Sequence, residues 1–66
     1  MPVIKIKGMS CNYCVMRVTK TLQSIEGIKN VQVDLDSSEA TFDEARPVDR
    51  KVIEDEIRKA GYEVVG

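Results

Sequence analysis

At 66 residues, with ten basic against eleven acidic side chains and a net charge of −1, the chain suffices for one small domain and lacks the basic, aromatic face that nucleic acid demands. Tyr13, Phe42 and Tyr62 are its only aromatics, histidine is absent, and no apolar run approaches the roughly 18 residues of a membrane span. No basic segment followed by an apolar stretch marks a signal peptide at the N-terminus.

Val3 to Lys7 alternates and predicts a strand with Ile4 and Ile6 turned to the core. Gly8 ends it. Ser10 and Asn12 are both N-cap candidates for the helix that follows. Val15, Val18, Leu22 and Ile25 recur at spacings of three and four, an amphipathic stripe predicting a helix from about Asn12 to Ser24, stopped by Gly27. Ile28 to Leu35 reads as a second strand, with Val31, Val33 and Leu35 on one face and Gln32 and Asp34 on the other. Asp36, Ser37 and Ser38 form a turn, and Glu39 to Asp43 returns as a third strand with Ala40 and Phe42 inward. Pro47 fits just before a second helix or in its first turn. Val48, Val52, Ile53, Ile57 and Ala60 mark that helix, Gly61 ends it, and Tyr62 to Val65 is a short last strand.

The order strand–helix–strand–strand–helix–strand predicts an α+β, ferredoxin-like βαββαβ fold: a four-stranded antiparallel sheet with two helices on one face, one domain over residues 1–66. In that topology Met9 to Cys14, Asp36 to Ser38, and Gly61 with Tyr62 share one pole. Tyr62 therefore approaches the cysteines although it is remote in sequence.

Both cysteines fall in one C-x-x-C, Cys11 and Cys14, on the first strand-to-helix turn. A bridge between them would close a very short loop and stabilise little, so the pair is not there to hold the fold. A helix N-terminus favours thiolates through its unpaired N–H groups and dipole. Gly8 and Ser10 make the turn an exposed one, which argues against two merely buried thiols. Beyond these sulfurs the soft donors are Met1, Met9 and Met16. Closed zinc sites take four ligands, whereas soft thiolates select Cu(I), which accepts two. Dithiol–disulfide redox chemistry is the competing reading, because thioredoxin-like proteins also carry C-x-x-C near a helix start. Those proteins are longer, Trp-flanked and have Pro between the cysteines; here Asn12 and Tyr13 intervene and Trp is absent. With no histidine, no nucleophile–base pair beyond the thiols and no phosphate-binding glycine loop, the chain does not read as an enzyme.

Gly8-Met9-Ser10-Cys11-x-x-Cys14, followed by Val15 and Val18, resembles the G-M-T/S-C-x-x-C signature of heavy-metal-associated domains. Gly27-Ile28-x-x-Val31-x-Val33 and Ala60-Gly61-Tyr62-Glu63-Val64 look like the same family, so the likeness spans essentially the whole chain. Within it, the chain is most similar to bacterial copper chaperones of the CopZ type and to the N-terminal metal-binding domains of copper-transporting P-type ATPases. The resemblance implies Cu(I) ligation by Cys11 and Cys14, with Met9 tucked under the loop into the core. It implies that Tyr62 packs against the metal loop and influences exchange. Ser10 stands where Zn(II)-, Cd(II)- or Pb(II)-selective domains commonly carry an acid, which favours Cu(I). Tyr13 replaces the His of many bacterial copper chaperones and is expected as a partly exposed cover over the site.

The function so implied is a cytoplasmic copper chaperone that passes Cu(I) to the metal-binding domain of a copper-transporting P-type ATPase by thiolate exchange. It would be a monomer without metal, with a metal-bridged homodimer left open, and would involve neither nucleic acid nor membrane insertion. A Zn(II)- or Hg(II)-binding domain of the same fold, and a domain excised from an ATPase, are the further alternatives. The Met1-Pro2 start and the stop after Val65 favour a free-standing protein. Arg17, one turn past Cys14, is a candidate for offsetting the negative charge of a bis-thiolate centre. Arg17 and Lys20 make the first helix basic; Asp34, Asp36, Glu39, Asp43 and Glu44 make the hairpin acidic; the second helix mixes both signs.

Overall fold

The computed structural model describes residues 2–66. Its elements are β1 (Val3–Lys7), α1 (Asn12–Gln23), β2 (Ile28–Asp34), β3 (Glu39–Glu44), α2 (Arg50–Lys59) and β4 (Glu63–Val64). The strands form one sheet in the order β2-β3-β1-β4, with every neighbouring pair antiparallel. This is the ferredoxin-like arrangement expected from the element order.

Strand alternation and helix periodicity meet in a single core. Ile4 and Ile6 of β1 and Ala40 and Phe42 of β3 are buried, together with Val18 and Leu22 of α1 and Ile53 and Ile57 of α2. One cluster containing residues from both helices and the inward strand positions places both helices on the same sheet face. Each such large side chain contributes about 1.5–3 kcal/mol on leaving water. Met9, Val31, Val33, Val48, Tyr62 and Val64 pack around its margin.

Several boundaries shift for local reasons. The residue capping α1 is Cys11, not Ser10 or Asn12, and its extended backbone makes no side-chain cap. Ser24 closes the helix, while Gly27 lies in the turn leading to β2. The register of β2 against β3 steps from Lys29↔Asp43 to Gln32↔Thr41, so Asn30 and Val31 together face Phe42. That is a β-bulge. Asn30 sits at φ 54 and donates its side-chain amide to Asp43 at 2.8 Å. The extra residue lets Ile28, Val31 and Val33 all turn coreward despite their uneven spacing. Pro47 and Val48 precede α2, which is capped by Asp49 accepting from the Lys51 N–H at 2.9 Å. Val52 lies outside the buried stripe, 46% exposed.

The pole is assembled by strand register. The Ile6 N–H donates to the Ser38 carbonyl at 2.8 Å, drawing the hairpin turn to the end of β1. Pairing of Lys7 with Glu63 brings Tyr62 beside Gly8. Gly61 (φ 98) ends α2: its N–H reaches the Arg58 carbonyl while the Tyr62 N–H reaches that of Ile57, a Schellman closure. That left-handed residue delivers Tyr62 to the thiol loop.

Candidate metal centre

The loop between β1 and α1 begins at Gly8, φ 107, a conformation L side chains rarely adopt. A Cβ there would stand 3.3 Å from the Tyr62 ring, so glycine also permits the close approach of Tyr62. Met9 is half-buried and packs against the core. Cys11 follows in an extended conformation (φ −160, ψ 173), and its carbonyl accepts the first helical bond from Val15 at 3.2 Å. Because no side chain caps α1 and no acid lies in its first turn, the positive end of the helix dipole is left for the thiols.

Both cysteines are free; Cys11 is exposed and Cys14 half-buried. Their sulfurs lie 3.8 Å apart. That is less than twice a metal–thiolate bond of about 2.3 Å, so one ion can touch both. The Ser10 hydroxyl lies 3.9 Å from the Cys14 sulfur. Among the described residues, no cluster of three or more His, Cys, Asp or Glu able to hold a metal occurs. The donor set is two sulfurs, and it suits a soft ion of low coordination number.

The Cys14 thiol is lowered from 9.0 to about 6. The largest cause is the Tyr62 hydroxyl, which donates to the sulfur; the Ser10 backbone amide, the Ser10 hydroxyl and the Cys11 thiol add to it, and desolvation opposes them. Tyr62 carries the reciprocal effect: its phenol is raised chiefly by Cys14, with Arg17 acting the other way. Arg17 therefore reaches the site through its charge on Tyr62.

The fold brings together Ser10, Cys11, Cys14 and Tyr62. Met9 supports the loop from below, and Tyr13 is 65% exposed on the outer side of α1. Tyr62 near the loop is legible from the sequence, but its part in lowering the Cys14 thiol is not. Cys11 as the cap is not legible either. The available signal for the first was Gly61-Tyr62 at the end of an amphipathic helix, the pattern of a closure that fixes the next side chain.

The sequence profile described as heavy-metal-associated domain matches residues 3–63. The chain belongs to that family. This heavy-metal-associated domain is 42% identical over 60 residues to the Copper chaperone CopZ of Enterococcus hirae, covering 88% of this chain and 86% of that one. It is 39% identical over 59 residues to Copper-transporting ATPase 1 of Rhizobium meliloti, where the match takes in 89% of this chain but 7% of the ATPase. A solved CopZ metallochaperone superposes with a TM-score of 0.87 at 28% identity, covering 97% of each chain. Close homologues of this domain are thus copper chaperones and the metal-binding domains of copper ATPases. No helix is long and apolar enough to cross a membrane among the described residues.

Proposed function

We propose that this domain is a copper chaperone which holds one Cu(I) between Cys11 and Cys14 and passes it to the metal-binding domain of a copper-transporting P-type ATPase. The observation that carries the reading is the pair of free thiols 3.8 Å apart at an uncapped helix N-terminus, with no His, Asp or Glu completing a three-ligand cluster among the described residues. The lowered Cys14 thiol supports it, since a group ionising near pH 6 is already a ligand at neutral pH. The names of the two copper relatives point the same way.

Ion loading and unloading follow from the geometry. Cys11 is the exposed sulfur, so an incoming thiolate can bond the ion from its side before either original sulfur leaves. The departing Cys14 thiolate is stabilised by the Tyr62 hydroxyl and the Ser10 amide, which lowers the cost of release. Neither partner need hold the ion much more tightly than the other; correct apposition of the two loops is enough. On this reading the work is done in the cytoplasm, where thiols are kept reduced.

The test is an anaerobic titration of the reduced protein with Cu(I) against a chromophoric chelator. One tightly held ion per chain, abolished in Cys11→Ser and Cys14→Ser, is expected. Failure to compete for Cu(I) would overturn the proposal. Sulfurs at 3.8 Å can also rotate into a disulfide, so a dithiol–disulfide module is the second reading. Absent copper binding together with a reversible, moderately oxidising potential would install it instead.

A further inference from the structure

The sheet ends in two outer strands, β2 and β4. An outer strand carries backbone N–H and C=O groups that can pair with another chain. β4 is two residues long and offers little to pair with. β2 runs for seven, and among the described residues no backbone hydrogen bond joins the stretch 29–34 to any element but β3. β2 is also the strand with the bulge. Asn30 and Val31 stand against Phe42 alone, and Asn30 holds φ 54. Asparagine tolerates that left-handed backbone better than most residues, but it is still unfavourable there.

The core does not require the extra residue. Without Asn30 the strand would read Ile28, Lys29, Val31, Gln32, Val33, Asp34, in strict alternation. Ile28, Val31 and Val33 would still face inward, and Lys29 to Asp34 would pair with Asp43 to Glu39 without a step. What the extra residue changes is the edge. It bends the strand and divides its paired length into 28–29 and 32–34. A straightened β2 would also be complementary to itself. Set antiparallel against a two-fold-related copy, with Gln32 opposite Gln32, Val31 would meet the second copy's Val33 and Lys29 its Asp34. Apolar and opposite-charge pairs of this kind stabilise a sheet. We infer that the Asn30 bulge is a guard which stops β2 of one copy from pairing with β2 of a second and fusing two sheets into one. The guard is independent of the thiols, so it holds whatever ion they carry.

Sedimentation velocity of the reduced, metal-free protein over a concentration series tests the guard, with circular dichroism as the check on folding. The parent protein should keep a monomer's mass throughout. Deletion of Asn30 should keep the helical signal while the apparent mass climbs with concentration to about twice the parent's or more. Adding Asp34→Lys to the deletion should restore the monomer. That change sets cation against cation between copies, yet meets Glu39 favourably within one copy. A folded deletion variant that stays monomeric overturns the inference. So does association that Asp34→Lys leaves unchanged, or a parent protein that itself associates. Should the deletion not fold, Asn30→Gly and Asn30→Val decide at unchanged chain length. Glycine accepts the left-handed backbone and should stay monomeric, whereas valine resists it and should associate. Equal behaviour of those two variants overturns the inference.

Discussion

The two helices do equal work on their inner faces and different work everywhere else. Each buries two residues on the sheet, Val18 and Leu22 from α1 and Ile53 and Ile57 from α2. Around that shared duty α2 is the more fully satisfied helix, although Val52 is 46% exposed and Lys51 forms no ion pair among the described residues. Asp49 caps its start, Gly61 closes its end, and Arg50–Glu54, Arg58–Asp55 and Lys59–Glu56 pair along its surface. α1 has no side-chain cap, a thiol at the cap position, unpaired cations and two exposed apolar side chains. A helix end satisfied by its own side chains is stable and inert. One left unsatisfied has donors and dipole available for an anion such as a thiolate.

The contrast breaks most visibly at the two cap positions. Cys11→Ser and Cys14→Ser should lose competitive Cu(I) binding outright, whereas Asp49→Ala should retain it, all read by chelator competition. Retention of tight binding by either cysteine variant would remove the distinction between the helices.

Core truncations come next and should not distinguish them. Leu22→Ala and Ile57→Ala, both at 0% exposure, should each cost about 3 kcal/mol in urea unfolding. A cost below about 1 kcal/mol for one alone would show that the inner faces are not equivalent.

Capping sharpens the comparison at smaller scale. Asp49→Ala should lower stability by about 1 kcal/mol. Cys11→Ala in metal-free protein should cost far less, because no side-chain cap is lost.

Acidity tests the thiol loop alone. Cys14 ionises in the fold at about 6 against an ordinary 9.0. An acid depressed in the folded state adds stability that is complete above its unfolded value and is lost as pH falls to its folded value. Metal-free protein should therefore gain stability from this group between about pH 6 and pH 9.0 and gain none below about 6. Tyr62→Phe removes the largest cause, so thiolate absorbance and alkylation of Cys14 should both titrate at higher pH. An unchanged midpoint would assign the lowering to the Ser10 contacts instead. The smallest effect belongs to the α2 surface: Arg50→Ala should cost about 0.3–0.5 kcal/mol through the exposed Glu54 pair, less in salt.

The fold was legible because its signals are local. Alternation in Val3 to Lys7 and Glu39 to Glu44, and the threefold and fourfold spacing of Val18, Leu22, Ile53 and Ile57, are set by backbone periodicity alone. Less legible were features in which neighbouring elements choose between local options. Ser10 and Asn12 are better caps than cysteine by propensity, yet the loop from Gly8 puts Cys11 at the junction. The bulge at Asn30 and Val31 is invisible to strict alternation, since it exists only against β3.

By itself the sequence determined the element order, the inward faces and the pairing of two thiols at a helix start, because each depends on residues within one or two turns of one another. Only the tertiary structure decided that the Tyr62 ring stands against Gly8 at the start of the thiol loop, that Val31 and Val33 both turn coreward, and that Tyr13 and Met16 are left exposed. These contacts depend on the register of β4 against β1, on the closure at Gly61 and on which side of α1 the sheet occupies. Such placements arise when separate elements bury a common core, so no local window of sequence contains them.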